Sequence, residues 1–164
     1  MKVKDLMRRQ PRTCAPESTL AEAALAMGET RCGVLPVVER GRTVGVLTDR
    51  DICLALARHD ARPSEMRVDR AMTPSVHYLK EEETHSRALQ LMRRWRVRRL
   101  PVLAADETLR GIVTLDDLAL KATPEGEDGP SWADLVATYQ AICERQRLAP
   151  PAKPGSPVGP TLRY

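Results

Sequence analysis

The chain carries two segments in which apolar side chains recur three and four positions apart. This spacing predicts an α-helix with one buried face in each segment. Thr19 precedes the first segment and Glu22 follows three residues later, the arrangement of a capping box at a helix start. The residues expected on the two buried faces are Leu20, Ala23, Ala24 and Met27 in the first helix, and Ala88, Leu91, Met92 and Trp95 in the second.

Each helical pattern is preceded by a short extended piece and followed by two β-rich runs. The runs are separated by a polar turn, ERGR in the first case and AADE in the second, which predicts a hairpin of unspecified turn type. A shorter helix then opens with acidic residues, Asp49 in one place and Asp116 in the other. The order β-α-β-β-α is therefore written twice.

The two stretches align residue by residue. LPVV at 35–38 matches LPVL at 100–103, and GVLTDRDI at 45–52 matches GIVTLDDL at 111–118, with one residue inserted in the second turn. One copy alone buries little apolar surface. We therefore predict an α/β fold in which two copies pack sheet to sheet with pseudo-two-fold symmetry and share a core.

The repeat leaves linkers and a C-terminal extension. A breaker-rich acidic linker precedes a predicted helix with an apolar stripe of Trp132, Leu135, Val136, Tyr139, Ile142 and Cys143. A proline-rich tail, predicted to be disordered, follows. The predicted divisions are a first domain at 1–58, a linker at 59–67, a second domain at 68–122, an acidic linker at 123–130, the helix at 131–148 and the tail at 149–164.

Composition narrows the class of protein. The formal charge of +4 is too small to imply nucleic acid by itself, and no apolar run is long enough to cross a membrane. The N-terminal segment has no signal-peptide pattern, so we expect a cytoplasmic protein. Four cysteines and three histidines stand apart, which predicts free thiols and no metal site.

The repeated Thr-x-x-Asp ends are the candidate chemistry. A strand delivers Thr48 to a helix N-terminus, where unpaired N–H groups and a hydroxyl donor favour an anion. Arg50 adds a charge for phosphate, and the Asp51 carboxylate suits the two hydroxyls of a ribose. Helix capping alone explains the same residues and is the favoured interpretation for one isolated copy, whereas two copies in register leave capping and binding equally open.

The pattern LPVV, turn, GVLTDRDI, preceded by an extended piece and the capped helix, resembles the cystathionine β-synthase (CBS) domain, and two in tandem resemble a Bateman module. The resemblance covers residues 3–122. It implies clefts between the two domains that bind AMP, ADP, ATP or S-adenosylmethionine, dimerisation, and a regulatory role toward a separate, unidentified protein partner. No cofactor is required.

The resemblance also assigns binding positions. Thr and Asp of the motif contact phosphate and ribose, and residues of the first strand and the Leu-Pro segment line the base pocket. The implied ligand-binding residues are Thr13, Cys14, Val34, Pro36, Thr48, Arg50 and Asp51 in the first copy, and Tyr78, Leu79, Arg99, Pro101, Thr114 and Asp117 in the second.

The second copy departs from the first where Asp116 replaces Arg50. An anion beside the expected phosphate weakens binding by like-charge repulsion, although Arg99 in place of Val34 can restore a positive charge. Our hypothesis is that the first cleft prefers a phosphorylated adenosine. The second cleft binds more weakly, binds an uncharged adenosine or is empty.

Two other functions compete with this one. The arginine cluster RRWRVRR at 93–99 suits nucleic-acid backbone contacts, which would make the chain a nucleic-acid-binding accessory protein. Degenerate clefts would leave a ligand-free dimeric adaptor with the C-terminal helix as its working surface. Catalytic motifs such as a phosphate loop or a nucleophile-histidine signature are missing from the sequence, so we expect no enzyme activity.

Overall fold

The computed structural model describes residues 1–74 and 76–148. Its elements alternate as the repeat predicts. The strands are β1 (Arg8–Arg9), β2 (Val34–Glu39), β3 (Arg42–Thr48), β4 (Leu79–Lys80), β5 (Arg99–Leu103) and β6 (Leu109–Thr114), and the helices are α1 (Leu20–Thr30), α2 (Asp49–His59), α3 (His85–Trp95), α4 (Leu115–Ala119) and α5 (Trp132–Leu148). The α/β class is confirmed. The tail predicted at 149–164 lies outside the described residues.

The first hairpin turns through two residues. Glu39 pairs with Arg42, and Arg40 and Gly41 between them have φ values of 49° and 82°. Two positive φ angles are the signature of a type I′ turn, whose twist matches that of the flanking strands. The sequence did not specify this turn, because an arginine at its first position carries no conformational signal.

The first helix begins as predicted and buries a slightly different face. Thr19 caps α1 and accepts a hydrogen bond from the Glu22 backbone N–H at 3.2 Å, while the Glu22 carboxylate accepts one from the Thr19 N–H at 2.8 Å. The prediction that Ala24 faces the core is wrong, since Ala24 is exposed and Ala26 is buried instead. Alanine is small and apolar at both positions, so the sequence pattern did not distinguish them.

The two copies build the same order of four chain segments. The Cys14 segment runs parallel to β2, β2 pairs with β3, and β3 pairs antiparallel with Thr73. In the second set β4 runs parallel to β5, β5 neighbours β6, and β6 pairs antiparallel with β1. The outermost segment of each set therefore comes from the other copy of the repeat.

Glycines in β3 and β6 make room for these exchanged segments. A Cβ on Gly45 would lie 2.9 Å from the Thr73 carbonyl oxygen, and one on Gly111 would lie 2.7 Å from that of Arg8. Real Cβ atoms do not approach a carbonyl so closely, so a side chain at either position would push the paired segment away. Gly45 thus serves chain pairing.

The chain divides into two compact units that do not coincide with the repeats. One unit, called unit 2 below, consists of Met7–Glu81 and Pro101–Ile112. The other, unit 1, consists of Met1–Leu6, Glu82–Leu100 and, among the described residues, 113–148.

The core of unit 2 includes one residue of the predicted linker and the first residue of the predicted second domain. Met66 and Val68 belong to the same buried cluster as Leu20 and Leu47. Backbone hydrogen bonds hold the segment in place, from the Leu20 N–H to the Met66 carbonyl at 2.8 Å and from the Val68 N–H to the Ser18 carbonyl at 2.8 Å. Residues 63–68 therefore connect the copies and also complete the first one.

In unit 1 the N-terminal segment has the equivalent place. Val3 is fully buried, and its N–H donates to the Glu83 carbonyl at 2.8 Å, just before α3. Glu82 accepts hydrogen bonds from Lys2 and Lys4, which lower the pKa of its carboxyl to about 2. This carboxylate is fully exposed, so solvent screens its ion pairs with the two lysines. The N-terminal segment is therefore held mainly by the backbone hydrogen bond and by burial of Val3.

Helix α5 packs against α3 and α4 in unit 1 through only part of its apolar stripe. Thr138 and Ile142 are buried, whereas Trp132, Val136 and Tyr139 are each more than half exposed. The apolar stripe is therefore only partly buried within this chain. The Thr138 hydroxyl donates to the Asp134 carbonyl at 2.7 Å, which lets a polar residue occupy the buried face.

The same substitution at two glycines should have opposite effects. Gly45→Ala should lower the free energy of unfolding by about 1–3 kcal/mol, because the new methyl group overlaps the Thr73 backbone. Gly28→Ala should raise it by about 0.5–1 kcal/mol, because Gly28 lies in α1 with no atom within 4 Å of the new Cβ. Urea unfolding of the two variants measures both. Equal effects of the same sign would contradict the chain crossing at Gly45.

Candidate functional site

The Thr-x-x-Asp turn of the first copy is a complete capping box. Thr48 ends β3 and caps α2, and its hydroxyl accepts from the Asp51 N–H at 3.1 Å. The Asp51 Oδ2 in return accepts from the Thr48 N–H at 2.9 Å and from the Thr48 hydroxyl at 2.6 Å. The capping explanation is therefore correct for these residues, and any binding role comes in addition to it.

This capping box changes what each atom can offer a ligand. The Thr48 hydroxyl has one hydrogen and gives it to Asp51, so the expectation that it donates to a phosphate is wrong for this arrangement. Both bonds from Thr48 end on Oδ2 of Asp51, which leaves Oδ1 of this half-buried carboxylate for a ribose hydroxyl.

The N-terminus of α2 is also less open to an anion than expected. The Asp49 N–H donates to the Gly33 carbonyl at 3.2 Å, and the Arg50 N–H donates to Oδ1 of Asp49 at 2.7 Å. With the Asp51 N–H bound to Thr48, the first three N–H groups of the helix have partners, so the expected set of unpaired donors is absent. The Arg50 guanidinium at this turn is exposed.

Gly33 is a residue that the sequence did not single out. A Cβ on it would lie 2.7 Å from Oδ2 of Asp49, so the bare glycine backbone accommodates that carboxylate. The matching positions of the second copy are Arg98 and Leu115, joined by a bond from the Leu115 N–H to the Arg98 carbonyl at 2.9 Å. An alignment of the two copies shows that both positions differ between them, and this difference could have drawn attention to Gly33 and Asp49 in the sequence.

The remaining first-copy residues lie along one edge of the hairpin in unit 2. Val34 is opposite Thr48 in the β2–β3 register. Cys14 lies beside buried Pro36 and Val37, with its N–H bonded to the Pro36 carbonyl at 3.2 Å, and Thr13 precedes it in an exposed position. At about 3.3 Å of rise per residue, the Cys14 level is roughly 10 Å from Thr48, about the length of a nucleoside. The structure thus brings the first set together.

The second set of predicted residues is divided between the two units. Tyr78, Leu79 and Pro101 belong to unit 2, where Leu79 pairs with Val102 as Cys14 pairs with Val37 and is fully buried. Tyr78 is exposed and Pro101 is buried.

Arg99, Thr114 and Asp117 belong to unit 1. Thr114 and Asp117 repeat the capping box, with the Thr114 hydroxyl donating to the Asp117 carboxylate at 2.7 Å. Both are 8–9% exposed, whereas their first-copy counterparts are half-buried. Arg99 is exposed. The second motif therefore offers less polar surface to a ligand than the first.

The arginine cluster at 93–99 contacts its own fold at three positions. Arg93 lies 3.9 Å from the Asp134 carboxylate, and the Arg94 guanidinium lies 5.1 Å from the centre of the Trp95 ring. The Arg98 guanidinium lies 5.3 Å from the centre of the Tyr139 ring. Two of these arginines therefore help to hold α5, a use that the sequence pattern did not indicate.

The described residues contain neither a cluster that could hold a metal ion nor a helix that could span a membrane. No three histidine, cysteine, aspartate or glutamate side chains within residues 1–74 and 76–148 gather as a metal site requires. None of the helices in this part of the chain has both the length and the apolar character to cross a bilayer.

Comparison with known proteins identifies the repeat. The family model of the CBS domain matches residues 3–58 and 68–122, which together are more than half of the chain. The chain belongs to the CBS-domain family. A CBS domain-containing protein of Bacillus subtilis strain 168, YhcV, is 38% identical over 133 residues, covering 81% of this chain and 94% of the relative.

Solved structures of CBS proteins have the same fold. CBSX2 in complex with AMP superposes with a TM-score of 0.66 at 26% identity, covering 73% of this chain and 94% of that chain. A CBS domain pair in complex with 5′-methylthioadenosine and S-adenosyl-L-methionine superposes with a TM-score of 0.67 at 27% identity, covering 74% and 94%. The chain is thus a tandem CBS protein, and the recognised repeat is confirmed.

The thiol of Cys14 should react far more slowly than that of Cys53. Burial raises the pKa of the Cys14 thiol to about 11, so only about one molecule in a thousand is thiolate at pH 8, whereas Cys53 is exposed. Alkylation at pH 8 followed by peptide mass spectrometry should label Cys53 first and Cys14 last. Rapid labelling of Cys14 would show that its segment does not stay paired with β2.

Proposed function

We propose that this protein is a regulatory module that binds an adenosine-containing ligand at the Thr48–Asp51 turn of its first CBS domain. The observation that carries the proposal is the tandem CBS fold, shared with proteins solved with AMP and with 5′-methylthioadenosine and S-adenosylmethionine. The ligand is AMP, ADP, ATP or S-adenosylmethionine, and it shifts a partner equilibrium by binding one arrangement better than another.

Each part of the ligand has a proposed contact in the first copy. Oδ1 of Asp51 accepts from a ribose hydroxyl, and the exposed Arg50 guanidinium pairs with a phosphate. Val34, Pro36 and Cys14 supply the apolar side of the base pocket, with Thr13 at its edge. A half-buried carboxylate beside a free cation and an apolar strand supports a nucleotide better than a neutral nucleoside.

The second copy is proposed to bind more weakly or not at all. Thr114 and Asp117 bond each other and are nearly buried, and Asp116 stands where the first copy has its phosphate-binding cation. Tyr78, Leu79, Arg99 and Pro101 complete the proposed second set, in which Arg99 is the remaining cation. A cationic group beside an anionic one gives a phosphate little net attraction.

We also propose that the module is a cytoplasmic homodimer that signals to a separate protein. Its first helix supports self-association, because α1 carries a second apolar face of Ala21, Ala24, Leu25 and Gly28 outside the core face, with Leu25 69% exposed. A helix that is apolar on both sides is typically covered on both. Four free cysteines are consistent with a reducing compartment.

Calorimetric titration with AMP, ATP and 5′-methylthioadenosine tests the ligand proposal. Arg50→Ala should weaken the affinity for AMP and ATP by roughly tenfold or more, which is the effect of losing a charge-assisted hydrogen bond. The affinity for 5′-methylthioadenosine should not change, because this compound has no phosphate. Asp51→Asn should weaken all three, since its amide still accepts the cap bonds but carries no charge.

Arg62→Ala is the matched control, because Arg62 is an exposed arginine of unit 2 outside the motif. It should change no affinity. Binding that is unaffected by both motif variants, or weakened equally by Arg62→Ala, would remove the first copy as the site. Absence of heat with all three compounds would overturn the adenosine proposal itself.

A further inference from the structure

Unit 1 carries an apolar groove between α4 and α5 that the CBS motif does not account for. Its volume is about 300 Å³, at the lower end of the range for small-molecule pockets. Half of the lining residues belong to α5, which lies beyond the residues matched to the CBS domain, and the other half belong to the second CBS repeat. The lining residues are Arg98, Leu115, Asp116, Ala119, Leu135, Val136, Tyr139 and Gln140.

The walls of the groove continue into an exposed apolar stripe. Trp132, Val136 and Tyr139 follow each other at i, i+4 and i+7 on α5 and are 57%, 56% and 51% exposed. Leu120, next to the groove residue Ala119, is 80% exposed. Three large apolar side chains exposed along one face of a helix mark an interaction site more often than scattered single ones do.

The ends of the stripe differ in charge. Between α4 and α5 the chain forms a loop with exposed Glu125, Glu127 and Asp128, closed at its base by hydrogen bonds that link Thr123 to Pro130 and to Trp132. The loop therefore begins and ends beside the first residue of the stripe. No ion pair neutralises these three carboxylates, or that of Asp116 in the groove, within the described part of the chain.

At the other end, the stripe is stiffened by a cation. The Arg98 guanidinium stacks 5.3 Å from the centre of the Tyr139 ring, which holds both side chains as a wall of the groove. Four carboxylates, those of Asp116 and the acidic loop, outnumber the two cations Arg98 and Lys121 around the groove, although the chain as a whole has a formal charge of +4. The acidic surroundings of the groove attract a basic partner, whereas the net positive charge of the protein attracts an acidic one.

We propose that the α4–α5 groove docks a basic amphipathic helix of a partner protein. Leucine-like side chains at i, i+3, i+4 and i+7 of that helix fill the groove against Leu115, Val136 and Tyr139. Its lysines or arginines pair with Asp116 and with the acidic loop. The inference deepens the proposed function by naming the partner's chemistry, but it needs no adenosine ligand and can fail while ligand binding stands.

The test uses a labelled synthetic amphipathic peptide of leucine and lysine, about 15 residues long so that it forms a helix on binding. We measure fluorescence anisotropy with the full chain and no nucleotide, against a matched peptide of leucine and glutamate. The lysine peptide should bind and the glutamate peptide should bind at least roughly tenfold more weakly, although the net charge of the protein favours the reverse.

Variants then locate the binding site. Val136→Ser and Tyr139→Ser, both at exposed positions that should not unfold the chain, should each weaken the lysine peptide by roughly tenfold, the effect of removing an interface anchor. Ala137→Ser, at an exposed position of α5 outside the groove lining, should have no effect. Replacing Glu125, Glu127 and Asp128 by their amides should weaken binding and flatten its salt dependence.

Three results would overturn the proposal. Equal binding of the two peptides would show that charge does not select the partner. If the affinity for the lysine peptide did not change in the variants at Val136 and Tyr139, the peptide would bind elsewhere on the protein. Sedimentation showing that the free chain self-associates, and that Tyr139→Ser abolishes this, would make a second copy the occupant of the groove.

Discussion

The exchange of short segments between the two copies is the interaction on which the fold depends. Thr73 pairs with β3 of the first copy, and Arg8 pairs with β6 of the second, each across a glycine that has no room for a side chain. Val68 is buried in the first core. A single copy would lack both an outer strand segment and a core residue, so neither can fold to the observed structure by itself.

The same capping box that ends each hairpin limits the chemistry of the candidate site. Thr48 and Asp51 satisfy each other, and Asp49 with Gly33 satisfies the next donors of α2. What remains toward a ligand is one carboxylate oxygen of Asp51 and the guanidinium of Arg50. A site built this way separates the structural role of the motif from its proposed binding role, because Arg50 can be removed while the cap stays.

The C-terminal helix α5 is an addition to the two CBS repeats of this chain. Arg93 and Arg98, which read in the sequence as part of a basic cluster, contact Asp134 and Tyr139 on α5. Helix α5 packs on α3 and α4, yet Trp132, Val136 and also Tyr139, despite its contact with Arg98, remain more than half exposed. Positive charge that would otherwise suit nucleic acid is thereby partly used within the fold.

The sequence by itself determined the repeat, the α/β order of elements and the capping boxes, because these depend on residues a few positions apart. Thr19 with Glu22, and Thr48 with Asp51, are such local pairs. Only the tertiary structure decided that Ala26 rather than Ala24 is buried and that Gly45 faces a crossing backbone. It also decided that half of the α5 stripe is exposed. Each of these outcomes depends on which distant segment lies against the residue, and helical or strand periodicity carries no information about that segment.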